Sequence, residues 1–85
     1  MKNLEITKIF RDIAKILEIK GENVFRIRAY ERAAQNIEGL TENIEVFIKE
    51  GRLREIPGIG RDLSERIGEF VATGKIKIYE DLKKS

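Results

Sequence analysis

An all-α fold, a compact bundle of four or five helices with short connections, is predicted for residues 1–85 by three observations. Apolar residues recur at three- and four-residue spacing through most of the chain. Gly21, Gly39, Gly51 and Gly74 fall where those runs end. Strand-like alternation is nearly absent, with Ile76 and Ile78 as its nearest case.

The first helix rests on Ile6, Ile9, Phe10, Ile13, Ile16 and Leu17, which share one helical face. Asn3 reads as its N-cap, and Lys20-Gly21 closes it with a cation and a glycine. A second helix starts after Asn23 and runs to about Glu38, turning Ile27, Tyr30, Ala34 and Ile37 inward. Ala29 and Ala33 thin it for close packing, and Gly39 stops it. Thr41 reads as the cap of a third helix carrying Ile44, Phe47 and Ile48, which ends at Gly51. A short turn from Arg52 to Glu55 leads to a Pro-Gly corner. Beyond it, Leu63, Ile67, Phe70 and Val71 mark a fourth helix from Arg61 to Thr73-Gly74. Residues 75–83 hold Ile76, Tyr79 and Leu82, a spacing that suits a last short helix or an extended tail.

The corner carries the most information. Leu53-Arg-Glu-Ile-Pro-Gly-Ile-Gly-Arg-Asp-Leu63 packs the only proline and two of the seven glycines into four residues. Pro57 fixes its own φ and ends any preceding helix, while Gly58 and Gly60 permit positive φ or the close approach of another backbone. Proline at the second position and glycine at the third predict a type II turn over Ile56-Pro57-Gly58-Ile59. A helix begins at once, so the amides of Gly58, Gly60 and Asp62 are placed to meet a phosphate oxygen, with modest help from the helix dipole. Such contacts ignore base identity. Pro-Gly alone is ordinary turn punctuation. The full pattern, apolar-Pro-Gly-apolar-Gly, two residues and Leu between helices, favours a backbone-binding hairpin.

Composition narrows the chemistry. With 41% hydrophobic and 38% charged residues, the chain can build both a core and a solvated surface. The absence of Cys removes disulfides and thiolate chemistry, and the absence of His removes imidazole catalysis and a His-rich metal site. No long apolar run suits a membrane span, and Met-Lys-Asn-Leu-Glu lacks the apolar stretch of a secretory signal. The expected location is cytoplasmic, nucleoid-associated in a prokaryote. A net charge of +2 fits a solvated surface of mixed sign. Its distribution is uneven: Arg52, Arg54, Arg61 and Arg66 face Glu55, Asp62 and Glu65, while acids gather at Glu38, Glu42, Glu45 and Glu50.

The stretch Leu53-Arg-Glu-Ile-Pro-Gly-Ile-Gly-Arg-Asp-Leu-Ser-Glu-Arg-Ile67 resembles the helix-hairpin-helix motif of DNA repair proteins. Gly21-Glu-Asn-Val-Phe-Arg-Ile-Arg-Ala-Tyr-Glu-Arg-Ala-Ala34 and Glu69-Phe-Val-Ala-Thr-Gly-Lys75 resemble the N-terminal small domain of family X DNA polymerases. The likeness runs from about Leu4 to Leu82, with three motifs in order. It implies one DNA-binding domain over residues 1–85 that holds the phosphate backbone of gapped, nicked or 5′-phosphorylated DNA without reading its sequence, in base excision or related repair. It implies that the hairpin binds DNA through the amides of Gly58 and Gly60 and holds a K⁺ or Na⁺ ion on the main-chain carbonyls of Arg54, Ile56 and Ile59. No other cofactor is implied. The 5′-phosphate side falls to Arg26, Tyr30 and Arg54, with Arg61, Arg66 and Lys75 as further DNA-binding positions. Without that likeness, Arg26 reads as part of a solvated helix face and Tyr30 as core. DNA is the implied partner, beside other repair proteins or the rest of a polymerase chain, and a monomer is expected.

Some members of that family also have 5′-deoxyribose phosphate lyase activity, in which a lysine amine forms a Schiff base with the sugar aldehyde. Arg66 stands at the matching position here, and a guanidinium stays protonated and cannot be that nucleophile. Asp62 stands at a second position that is basic in those relatives, where it repels a phosphate. Lys75 and Lys77, just past the helix, are the remaining amine candidates. Nothing resembles a nucleotidyl-transfer palm with its acidic metal ligands. Three functions therefore compete: DNA backbone binding, a lyase using Lys75 or Lys77, and a helical adaptor for another protein. The motifs favour the first.

Overall fold

Five α-helices carry nearly all the regular structure in the computed structural model, which describes residues 2–84. They are α1 (Lys2–Ile19), α2 (Val24–Glu38), α3 (Ile44–Lys49), α4 (Arg61–Thr73) and α5 (Lys77–Lys84), with a 3₁₀ turn at Leu53–Glu55 before the hairpin. No strand occurs among the described residues, and no helix there is long and apolar enough to cross a membrane. The all-α bundle expected from the spacing is the fold, and the C-terminal segment is a helix rather than a tail.

Residues 20–23 join α1 to α2, a connection short enough to make the two helices antiparallel neighbours. Their facing sides build most of the core. Ile6, Phe10, Ile13 and Leu17 of α1 are buried with Ile27, Tyr30, Ala33, Ala34 and Ile37 of α2. Phe10 meets Tyr30 edge-on, with ring centroids 5.3 Å apart and planes at 87°. Arg11 and Glu38 clamp the solvent side of the pair with two hydrogen bonds of 2.9 and 3.0 Å. Leu63, Ile67 and Phe70 of α4 close the core, joined by Ile56 and Ile59 from the hairpin.

Two expected caps are corrected. Asn23 does cap α2, its Oδ1 accepting from the Phe25 amide at 2.8 Å. Asn3, however, lies inside α1 and is 3% exposed. Its Oδ1 accepts from the Ile44 amide at 2.7 Å, and its Nδ2 donates to the Glu42 carbonyl at 2.8 Å. Asn3 therefore satisfies the start of α3 from another helix, 41 residues away in sequence. Thr41 is not the local cap of α3 either. Asn43 is, accepting from the Glu45 amide at 3.0 Å. A free helix N-terminus selects any oxygen that packing brings to it, and sequence proximity does not decide which.

Gly74 ends α4 in the left-handed region at φ 80°. The Glu69 carboxylate then accepts from the Lys77 amide at 2.8 Å, which caps α5 with a residue of the preceding helix. Ile76 is fully buried between them. The Tyr79 hydroxyl donates to Asp12 Oδ2 at 2.7 Å and latches α5 onto α1. That bond to a carboxylate, followed by desolvation, raises the Tyr79 pKa above the ordinary tyrosine value. A raised folded-state pKa stabilises the fold fully below the unfolded value, near 10, and this contribution is lost as pH climbs through the folded value. Tyr79→Phe is expected to cost about 1 kcal/mol at neutral pH. Urea unfolding of both proteins across the alkaline range should show this gap closing as the wild-type tyrosine ionises.

Candidate functional site

The hairpin is held by contacts on both of its sides. The Ile59 amide donates to the Ile56 carbonyl at 3.0 Å, and Gly58 has φ 86°, the geometry of the expected type II turn. Ile56 and Ile59 point into the core and anchor the loop from below. From α2, Asn36 Nδ2 donates to the Pro57 carbonyl at 2.6 Å. The aliphatic stem of Arg32 lies across Gly58, so close that a Cβ there would stand 3.2 Å from Arg32 Cγ.

Gly60 is glycine for a different reason. Its φ of −94° and ψ of −162° are extended, so the positive φ allowed by the sequence occurs at Gly58 and not at Gly60. Nothing lies within 4 Å of where its Cβ would be. Gly60 is the N-cap of α4 without a capping side chain, and the amides of Gly58, Gly60 and Asp62 donate to no group among the described residues. The loop therefore holds several N–H groups without a partner, and at Gly60 no side chain stands near the backbone, an arrangement suited to an anion.

Beside the hairpin, α2 and α4 enclose a cavity of about 180 Å³ lined by Arg26, Ala29, Tyr30, Asp62, Leu63 and Arg66. Helical spacing builds it. Arg26, Ala29 and Tyr30 stand three and four residues apart on α2, and Asp62 and Arg66 one turn apart on α4. Tyr30, packed edge-on against Phe10 and buried in the core, also lines the cavity. Ala29 is exposed and lines the cavity, where close packing against another helix was expected. Arg66 Nε is buried without an acceptor, and neither Arg26 nor Arg66 pairs with Asp62. Two guanidinium charges thus face one carboxylate, leaving the cavity positive and short of acceptors.

The remaining candidates are dispersed. Arg54 lies on the other side of α4, in a cavity of about 250 Å³ with Leu53, Ser64 and Glu65, apart from Arg26 and Tyr30. Arg61 is exposed and stands 3.6 Å from Glu65. Lys75 is exposed past the end of α4, and Lys77 Nζ donates to Asp81 at 3.2 Å; neither lines the cavity. Of the three carbonyls tied to a cation, that of Ile56 accepts the turn hydrogen bond, while those of Arg54 and Ile59 accept no backbone hydrogen bond among the described residues. No cluster of carboxylates for a metal occurs there.

Arg32, Asn36 and the 73%-exposed Phe25 were not singled out by spacing. Arg32 and Asn36 sit on a polar helix flank that gives no local signal, and only the fold reveals that the hairpin lies against it. Phe25 does carry one: an aromatic ring at the second position of an amphipathic helix, off the apolar stripe.

The family model described as a helix-hairpin-helix domain matches residues 1–76. The chain is also similar to the DNA polymerase/3′-5′ exonuclease PolX of Bacillus subtilis (strain 168), with 27% identity over 84 residues. That match covers 99% of this chain and 14% of the relative.

Proposed function

The chain belongs to the helix-hairpin-helix domain family, and from that premise we propose that it binds DNA through the phosphate backbone and seats a terminal 5′-phosphate between α2 and α4. One observation carries this reading: Arg26, Tyr30 and Arg66 converge on a cavity beside the open amides of the hairpin, with Arg66 Nε lacking an acceptor. A phosphate there gains two charge-assisted partners, and the adjoining hairpin grips the next stretch of backbone. Asp62 weakens the attraction without cancelling it.

Gapped DNA suits the site better than an intact duplex, because a gap offers an end phosphate together with unpaired bases. The exposed Phe25 ring, directly before Arg26, provides a stacking face for such a base. A monovalent cation fits the carbonyls of Arg54, Ile56 and Ile59, all neutral oxygen donors, two of them without a backbone hydrogen bond. It would supply positive charge facing a phosphate. Similarity to a DNA polymerase/3′-5′ exonuclease, of which the chain covers 14%, supports a polymerase-linked setting, and repair of gapped DNA is the role we assign within it. The lysines at 75 and 77 lie outside the cavity and give the lyase reading no support.

Fluorescence anisotropy with gapped DNA carrying or lacking the 5′-phosphate tests this. The phosphate should tighten binding by about tenfold or more, since each of its two charge-assisted contacts is worth about a factor of ten and Asp62 offsets part of the sum. Arg26→Ala and Arg66→Ala should each reduce that preference, and the double variant should erase it, while hairpin binding persists. Equal affinity for the two DNAs in the wild type overturns the cavity assignment, and absence of binding at low salt overturns DNA recognition itself.

A further inference from the structure

We propose that Arg32 is a phosphate-binding residue bridging the hairpin and the α2–α4 cavity, so that the two sites act on one continuous DNA strand. This rests on the DNA-binding reading above and extends it to a residue on the outer flank of α2.

Ala29, Arg32 and Asn36 fall three and four residues apart, a single stripe along α2. Ala29 at one end lines the cavity, and Asn36 at the other donates to the Pro57 carbonyl of the hairpin. Arg32 occupies the interval. Its stem rests on Gly58, with the Cβ position there 3.2 Å from Cγ and 3.4 Å from Cδ, so its course is set by the turn. Immobilising the stem in advance reduces the entropy that a flexible arginine loses when it binds.

Charge gives the second support. Arg11, Arg52 and Arg61 are each paired with glutamates. Arg32 forms no ion pair or side-chain hydrogen bond among the described residues, although the chain carries 15 acidic residues. Arg28, one turn away on the same flank, is likewise unpaired and adds to the positive field. An arginine laid across a hairpin with its guanidinium uncommitted is poised for a phosphate between those held on either side. The steric relation also explains Gly58 twice over: φ of 86° calls for glycine, and the space a side chain would fill is taken by Arg32.

The test separates charge from packing. Arg32→Met keeps the stem over Gly58 and removes the guanidinium, while Arg32→Lys keeps a charge. Affinity for gapped duplex DNA is measured from low to moderate salt, with Arg11→Met as the control for a paired arginine. Loss of one phosphate contact should reduce the salt slope of log K by about 0.9, which makes Arg32→Met about threefold less sensitive to salt between 50 and 200 mM. Arg32→Lys should restore most of that slope, and Arg11→Met should match the wild type. A structural role alone would change affinity without changing the slope. Wild-type slope in a folded Arg32→Met overturns the proposal while DNA binding stands; failure of the wild type to bind overturns both.

Discussion

Asn3→Ala is expected to remove about 3 kcal/mol of stability, a large share for a domain of this size. Alanine cannot accept from the buried Ile44 amide or donate to the Glu42 carbonyl, so a helix start in the core loses its acceptor. The neighbouring substitution Thr41→Ala, at an exposed position that caps nothing, should fall within about 0.5 kcal/mol of the wild type. Urea unfolding followed by circular dichroism measures both. Equal midpoints for the two variants would show that Asn3 does not hold α3. The effect should reach DNA binding only indirectly, because α3 carries none of the residues of the cavity or the hairpin.

Gly60→Asp is expected to lower DNA affinity by tenfold or more and leave stability unchanged or a few tenths of a kcal/mol higher. Aspartate is a favoured N-cap, and the extended backbone and open space at Gly60 accept it. Its carboxylate would take the α4 amides that a phosphate needs and repel the phosphate as well. Gly58→Ala should behave in the opposite way. A non-glycine residue at φ 86° costs about 1–2 kcal/mol, and its Cβ presses on the Arg32 stem, so stability and binding fall together. Thermal melts and anisotropy titrations on the same samples separate the two. A Gly60→Asp protein that binds DNA like the wild type would remove the hairpin amides from the interface.

The hairpin was legible in the sequence because every property it needs is local. Proline at the second position of a turn, glycine at the third, a second glycine, and an apolar stripe starting at once define one backbone path. The cavity was legible only in part. Arg26, Tyr30 and Arg66 came through likeness to a family, and the fold brings them together. The same likeness grouped Arg54 with them, yet Arg54 lines a separate cavity with Ser64 and Glu65, apart from the one lined by Asp62 and Arg66. Ala29 reads as a packing residue by composition and instead leaves room in a cavity.

Sequence by itself determined the first four helices, their glycine stops, the turn type and the absence of thiol and imidazole chemistry, since each depends on residues a few positions apart. Tertiary structure alone decided the long-range partners. Asn3 serves α3 rather than α1, Glu69 caps α5, Asn36 and Arg32 brace the hairpin, and three arginines are neutralised while those facing the hairpin and cavity stay unpaired. Short polar side chains and long cations bond with whatever group packing brings within about 3 Å. That distance is fixed by how the apolar faces of the helices assemble.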